Sequence, residues 1–471
     1  MRKATKLYAL LGVLLVVCIA AFAVSRYEEK KEQIKNSGEV ILEIPTDSVT
    51  ALSWTNESGT FSFTKDETWV YDEDNAFPVD EEKINDLLEQ FTSFAAAFAI
   101  DDVEDYAQYG LDEPVCTIRI TAGEESYTVE LGDFSKMDEQ RYISIGDGKV
   151  YLVSHDPLEE FDAVLRDMIL DDTIPEFDTA EQIEFSGSEN YTIIRDEDGK
   201  SICADDIYFT DGQPLDTDNV DTVLSAIQSL SLTNYVSYNV TDEELTNFGL
   251  DDPELTIKME YSTRDDDGNV EDSGTLLLRI SRNPEEVAAY EEAVEKDEDD
   301  LPDVTCYVRV GQSQIVYEIS QSVYDQLTAV SYDTLRHQNL FTADFDTVTS
   351  IDIALSGESY TFTYNPPEDK DDEDTEGTWT YNGEEFDVYD LKTALRAISA
   401  SSFTDETPTG QEEISLTVHL DNEDFPTFTL TLYRLDGTNC IATVDGKTVA
   451  LVSRSQTVDL IEAVNELTLG S

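Results

Sequence analysis

Apolar residues along this chain follow two periods in turn, and the turn-taking repeats three times. SWTNESGTFSFTK from Ser53, IEFSGSENYTIIR from Ile183 and IDIALSGESYTFTY from Ile351 alternate apolar and polar residues around a Gly, Ser or Asn turn. Period two on both sides of such a turn predicts a β-hairpin. Downstream of each hairpin the period lengthens. Ile84, Leu88 and Phe91 recur at i, i+4 and i+7, as do Val220, Leu224 and Ile227, and then Leu391, Leu395 and Ile398. That spacing is one face of an amphipathic helix. Asp80, Asp216 and Asp387 stand just before these helices. A short carboxylate there can accept the unpaired amides of the first turn, so all three read as N-caps.

Two further anchors recur in the same order. YGLDEPVCTIRI from Tyr109, FGLDDPELTIKM from Phe248 and a degraded TGQEEISLTVHL from Thr409 each lead a turn into an alternating strand. Gly110, Gly249 and Gly410 align without gaps, and glycine permits the positive φ such a turn requires. VYLVSHDPLEEF from Val150, VYEISQSVYDQL from Val316 and VALVSRSQTVDL from Val449 then read as a strand followed by a helix. Ser154, Ser320 and Ser453 fall at the expected N-cap, and Phe161, Leu327 and Leu460 on the apolar face beyond it.

These anchors predict an α+β fold class: an N-terminal transmembrane helix followed by three tandem repeats of a small antiparallel-sheet-plus-helices unit. The expected divisions are an anchor over 1–26, a linker over 27–44, unit 1 over 45–172, unit 2 over 173–341 and a degenerate unit 3 over 342–471. Gly110 and Ser154 are 44 positions apart, Gly249 and Ser320 71, and Gly410 and Ser453 43. Unit 2 therefore carries an insertion, placed between Arg264 and Asp300 and read as solvated loops with a short helix at Glu285–Val294. Unit 3 carries an acidic insert at Pro366–Gly377.

Leu7 to Val24 is an uncharged run of 18 residues. As a helix it covers about 27 Å, close to the hydrocarbon core of a bilayer. Arg2, Lys3 and Lys6 precede it, and Arg26, Lys30, Lys31 and Lys35 follow. A cleaved signal peptide would use Ala21-Phe22-Ala23, and a lipoprotein would use Cys18. The run is long for the first, and Leu15-Val16-Val17 lacks the small residue the second wants. The expectation is an uncleaved single-pass anchor with the remaining domains on the extracytoplasmic side.

Charge narrows the partners. The 471 residues include 29 Lys and Arg against 103 Asp and Glu, a formal net charge of −74. Such a chain is not a nucleic-acid binder, which needs a concentrated positive face. Weak, diffuse cation binding is expected from charge alone. Cys116, Cys203, Cys306 and Cys440 are far apart with no CxxC pair, and His155, His337 and His419 are scattered. They read as buried small side chains and isolated imidazoles rather than a zinc frame. Ser62 to Lys65 fits S-x-x-K but lies in an alternating strand instead of at a helix start. Asp196–Gly199 and Asp265–Gly268 lack the frame of a calcium loop. Trp54, Trp69 and Trp379 sit in strand-like runs and read as core. No catalytic, cofactor-binding or metal residue is assigned, and no cofactor is expected.

The residues now in hand resemble a bacterial family, domain of unknown function 4340. The resemblance rests on Trp69 to Tyr71, Asp80 to Leu88, Tyr109 to Pro114, Leu131-Gly132-Asp133 and Gly146 to Val153, and again on Phe248 to Pro253. It implies a membrane-anchored extracytoplasmic protein, held through Leu7–Val24, that accompanies ABC-type transporter components such as a permease. The corresponding functional expectation is a non-enzymatic binding or scaffold protein. A second reading stays open: an envelope hydrolase or ligand-binding enzyme built on carboxylates. Its mark would be two or three carboxylates in one unit, absent from the sister units, converging in a pocket.

Overall fold

The computed structural model describes residues 38–265, 267–298, 300–367 and 377–469. The described chain forms two compact units. One holds the residues up to Asp172 with Ser237–Asn239, the other Thr173–Val236 with everything from Val240 onward.

In the first unit the hairpin expected at Ser53 forms from β2 (Val49–Asn56) and β3 (Gly59–Lys65) and continues into β4 (Trp69–Tyr71). Helix α1 (Glu81–Glu89) follows, capped by Asp80, whose carboxylate accepts from the amides of Glu82 and Lys83. After α1, β5 (Phe94–Ala96) pairs with β1 (Glu39–Leu42) as a separate two-stranded sheet, and β6 (Phe98–Ile100) runs to the far edge of the main sheet. The chain returns through β7 (Cys116–Ala122), β8 (Glu125–Ser135), β9 (Gln140–Ser144) and β10 (Val150–Val153), then ends in α2 (Leu158–Phe161). Strand order is β4-β3-β2-β7-β8-β9-β10-β6. Two antiparallel meanders thus meet at β2 and β7, with the helix connection crossing one face.

That face is the core. Leu52, Trp54 and Phe63 from the first meander meet Ile118, Ile120 and Leu131 from the second, all at most 1% exposed. Ile84, Leu88 and Phe161 close over them from the helices. Trp54 stacks on Phe63 with centroids 5.5 Å apart and donates its indole N–H to the Ala163 carbonyl at 3.0 Å, so its one polar atom is satisfied in the interior. Each such large side chain stabilises the fold by about 1.5–3 kcal/mol through burial.

The second unit repeats the plan twice. Its first sheet comprises β11 (Thr179–Ser186), β12 (Asn190–Arg195), β13 (Tyr208–Thr210), β14 (Gln213–Pro214), β15 (Tyr235–Ser237), β16 (Leu255–Arg264), β17 (Val270–Arg282), β18 (Cys306–Val310) and β19 (Val316–Ile319). Its helices are α3 (Thr217–Gln228), α4 (Asp242–Asn247), α5 (Pro284–Glu295), α6 (Gln321–Thr328) and α7 (Tyr332–Leu335). The other sheet comprises β20 (Val348–Leu355), β21 (Glu358–Asn365), β22 (Thr378–Tyr381), β23 (Glu384–Phe386), β24 (Ala400–Phe403), β25 (Glu412–Leu420), β26 (Thr427–Arg434), β27 (Asn439–Val444) and β28 (Lys447–Ser453), with α8 (Tyr389–Ala397) and α9 (Arg454–Leu469). The orders are β14-β13-β12-β11-β16-β17-β18-β19-β15 and β23-β22-β21-β20-β25-β26-β27-β28-β24. Both are the first sheet's order with one short outer strand added.

In each of the three large sheets no inner strand is shorter than the outermost ones. They have three residues each at β4 and β6, two and three at β14 and β15, and three and four at β23 and β24, against 13 in β17.

Several expectations are corrected. The α+β class gives way to a predominantly β architecture: 40% of the described residues are strand and 22% helix, in four antiparallel sheets. The helices are real but several are single turns; α2 and α7 have four residues each. No helix among the described residues is long and apolar enough to cross a membrane. Leu7–Val24, the expected transmembrane helix, lies outside the described residues, as does most of the acidic insert at Pro366–Gly377. The insertion between Arg264 and Asp300 is not chiefly loop. Its first part is a hairpin in which Arg264 pairs with Val270 around a tight turn at Asp265, and helix α5 covers the expected Glu285–Val294.

Among the serine caps, Ser320 accepts from the Val323 amide and Ser453 directly precedes α9, but the N-cap position of α2 falls to Pro157 instead of Ser154. Pro157 delays α2, and the Asp156 carboxylate takes the Leu158 amide at 3.0 Å. Asp387 accepts from the Tyr389 amide at 2.9 Å, while Val388 occupies the cap position.

Gly410 is not the counterpart of Gly110 and Gly249, which both have φ +67°. Sheet register equates Ile120, opposite Leu52, with Met259, opposite Ile183, and Val418, opposite Ile351. The gapless alignment is therefore two residues out in the last copy. Because side chains alternate with period two, a slip of two keeps every residue on its face, and the pattern conceals it.

Candidate functional site in the second unit

The connection from β12 to β13 spans residues 196–207, whereas its counterpart between β3 and β4 is residues 66–68. The longer loop is held by its own side chains. Ser201 Oγ donates to Asp206 Oδ2 at 2.6 Å and accepts from the Cys203 amide at 3.2 Å. Thr217 Oγ1, from the start of α3, donates to the Asp205 carbonyl at 2.9 Å and accepts from the Ile207 amide at 3.1 Å. Ile202 packs into the core of the β20–β28 sheet, and Asp206 is left only 5% exposed.

His337 arrives from the other side. The Asp216 amide donates to the Leu335 carbonyl at 3.0 Å, fixing the chain after α7 against the start of α3. This puts His337 Nε2 2.8 Å from Asp206 Oδ1 and Nδ1 3.2 Å from Asp216 Oδ2. Asp216 uses its other oxygen to cap α3, accepting from the Asp218 amide at 3.1 Å. Cys203 Sγ completes the group: one ligating atom each from Cys203, Asp206 and His337 lie within 4.8 Å of one another. They line a cavity of about 430 Å³ together with Asp205, Asp216 and Asp218.

Burial alone would lower the basicity of His337, but the hydrogen bonds with Asp206 and Cys203 and the charges of Asp206 and Asp216 outweigh it. The imidazole is raised to about 10. In this cavity two carboxylates and a thiol face one imidazole ring.

The first unit has the framework without the chemistry. There the Asp80 amide donates to the Met168 carbonyl at 2.9 Å, as Asp216 does to Leu335. Two residues past Met168 stands Leu170, where two past Leu335 stands His337; the short 66–68 connection has no counterpart of Cys203, and Glu67, at the register of Asp206, is exposed. The equivalent segment of the last sheet lies largely outside the described residues.

The remaining sequence candidates fall elsewhere. Cys116, Cys306 and Cys440 are buried in strands, the small-hydrophobe role expected of them. Burial pushes the Cys116 thiol up to about 12 and that of Cys306 up to about 11. Ser62 and Lys65 lie in β3. Asp265 spends its carboxylate on its own turn, accepting from the amides of Asp267 and Asn269 at 3.0 and 2.8 Å. Trp54, Trp69 and Trp379 are core residues, at most 6% exposed. His419 pairs with Asp352 at 2.8 Å on the β20–β25 sheet. Reading Cys203 and His337 as isolated is corrected: they converge with Asp206 although 131 positions separate Asp206 from His337. The one signal available was the length of the 196–207 connection against its counterpart.

No curated protein matches this chain. A family model described as "Domain of unknown function (DUF4340)" matches twice, over residues 69–211 and 206–417. Each match begins near an outer strand, β4 or β13, crosses the helix and second meander, and ends in the following sheet. The second contains Asp206, Asp216 and His337. With both matches together spanning most of the sequence and following its internal repetition, the chain belongs to the DUF4340 family.

Proposed function

We propose that this chain is a binding and scaffold protein, held at the outer face of a membrane through Leu7–Val24, and that its partner is a component of an ABC-type transporter. The observation that carries the reading is repetition. One strand order is built three times, each time with its apolar face filled by its own helices, so what the chain multiplies is outward surface. Tethering such a surface raises its effective concentration toward any partner in the same membrane. The transporter assignment rests on the family resemblance of the motifs at Trp69–Tyr71, Asp80–Leu88 and Tyr109–Pro114. With a charge of −74, a partner must present basic or neutral surface. The test is purification of the tagged full chain from membranes after mild crosslinking. A permease or its ATPase should be recovered reproducibly and stay bound in moderate salt. Recovery of the chain without either would overturn the assignment.

A second reading, ligand binding through carboxylates, is favoured by one feature. Asp206 and Asp216 converge with Cys203 and His337 in one copy, and among the described residues the first unit has no equivalent of Cys203 or His337, while Glu67, at the register of Asp206, is exposed.

A further inference from the structure

We infer that Cys203, Asp206 and His337 form a binding site for a divalent metal ion of the zinc class, with Asp216 as the positioning residue. The inference goes beyond the scaffold reading and does not depend on any transporter partner.

The donor set is the first argument. A thiol sulfur, an imidazole nitrogen and a carboxylate oxygen are the three ligand types that zinc accepts, and their mixture disfavours calcium and magnesium, which take oxygen alone. The second argument is geometry. The three ligating atoms already lie within 4.8 Å of one another. A tetrahedral ion with bonds of about 2.0–2.3 Å needs neighbouring ligand atoms about 3.3–3.7 Å apart. The His337–Asp206 separation of 2.8 Å would open by about half an ångström to admit the ion.

The outer residues supply the third argument. Ligating histidines commonly give their other ring nitrogen to a carboxylate, which sets the tautomer and aims the lone pair. Asp216 Oδ2 stands 3.2 Å from Nδ1, leaving Nε2 toward Asp206, and Asp216 is itself fixed by capping α3. Asp206 is likewise fixed by Ser201 at 2.6 Å. Three protein ligands facing a cavity of about 430 Å³ leave a fourth position for water or an exogenous ligand. A thiolate and a carboxylate balance the ion's two charges, and the acidity of the whole chain raises the local concentration of cations.

Cobalt(II) tests this, because it reports a thiolate ligand optically. The full chain, purified in detergent and stripped with chelator, is titrated with CoCl2 in excess MgCl2, which occupies diffuse acidic sites. One equivalent should produce a thiolate-to-cobalt charge-transfer band, and ZnCl2 should abolish it by displacement. Cys203→Ser should remove the band, and His337→Gln should weaken cobalt binding at least tenfold. Asp216→Asn, which retains capping ability, should weaken it by about 10- to 100-fold without removing the band. A wild-type titration with no such band, or a band that persists in Cys203→Ser, overturns the site. The wild-type measurement decides even if a variant fails to fold.

Discussion

Removing Asp156 should destabilise the first unit far more than the loss of a surface ion pair. The side chains of Arg141 and Asp156 are 9% and 11% exposed, and they hydrogen-bond through Nε and Oδ1. Arg141 also donates from Nη1 to the Gly132 carbonyl at 2.6 Å and lies over the Phe134 ring at 5.7 Å. Asp156→Ala leaves a guanidinium with little access to water and no counter-charge, which costs about 3–5 kcal/mol, a large share of a domain's stability. Asp156→Asn keeps an acceptor for the Leu158 amide and loses the charge alone, for about 1.5–3 kcal/mol.

The sister sheets supply the control. Arg141 pairs with Val153, and at the same register Cys306 pairs with Ile319 and Cys440 with Val452. Asp156 lies two past Ser154, where Ser322 and Ser455 lie two past Ser320 and Ser453. Arg141→Cys with Asp156→Ser therefore writes the sister combination into the first unit, and the double variant should recover at least half of the Asp156→Ala loss. Hydrogen exchange read by mass spectrometry on peptides from β7 to β10 is the assay, with β16 to β19 as internal reference. The single variant should speed exchange there by about two to four powers of ten. A cost below about 1 kcal/mol, the value of an exposed pair, would refute the reasoning, as would a double variant no more stable than the single one.

Three further outcomes follow from charge and burial. The His337 imidazole is raised from 6.5 to about 10 while facing Asp206, Asp216 and Cys203, so its stabilisation is complete below pH about 6.5 and is lost as pH rises through about 10. Unfolding of the metal-stripped chain across that range should show a decline that His337→Gln flattens; parallel curves would contradict it. Among Cys116, Cys203, Cys306 and Cys440, iodoacetamide should label the partly exposed Cys203 first in the native chain, since burial raises the other three thiols. Mass spectrometry showing Cys116 modified as fast would count against that packing. With a net charge of −74, raising NaCl toward 0.1 M, where screening acts within about 10 Å, should raise the melting temperature. A flat or falling curve would mean that the carboxylates are too far apart or too well paired to repel.

Local periodicity carried the core-facing elements. Ile84, Val220 and Leu391 lie where an i, i+4 pattern puts them, and all are fully buried. The hairpins at Ser53, Ile183 and Ile351 were equally legible, because alternation around a Gly turn is a short-range signal. What misled was weight and register. Each helix announces itself over two turns, while strands such as Gln140–Ser144 last only five residues, so the helical share was overstated. Gly410 looked aligned because a slip of two leaves the faces unchanged. The metal-type cluster was illegible for a different reason. Cys203 and Asp206 come from a loop, His337 from the exit of a different helix, and only the fold of the second unit brings them into one cavity.

The brevity of the outer strands matters most while the chain is still folding. Three sheets of one strand order share a single polypeptide, so each exposed border has a near-homologous border nearby at concentrations no separate molecule would reach. A long open border could zip onto a sister's and lock two copies into a hybrid sheet, the failure to which tandem homologous domains are prone. Borders of two to four residues offer too few main-chain bonds to hold such a hybrid together. Lengthening one of them, for instance by replacing Pro214 in β14, would trade this protection for misassembly between copies.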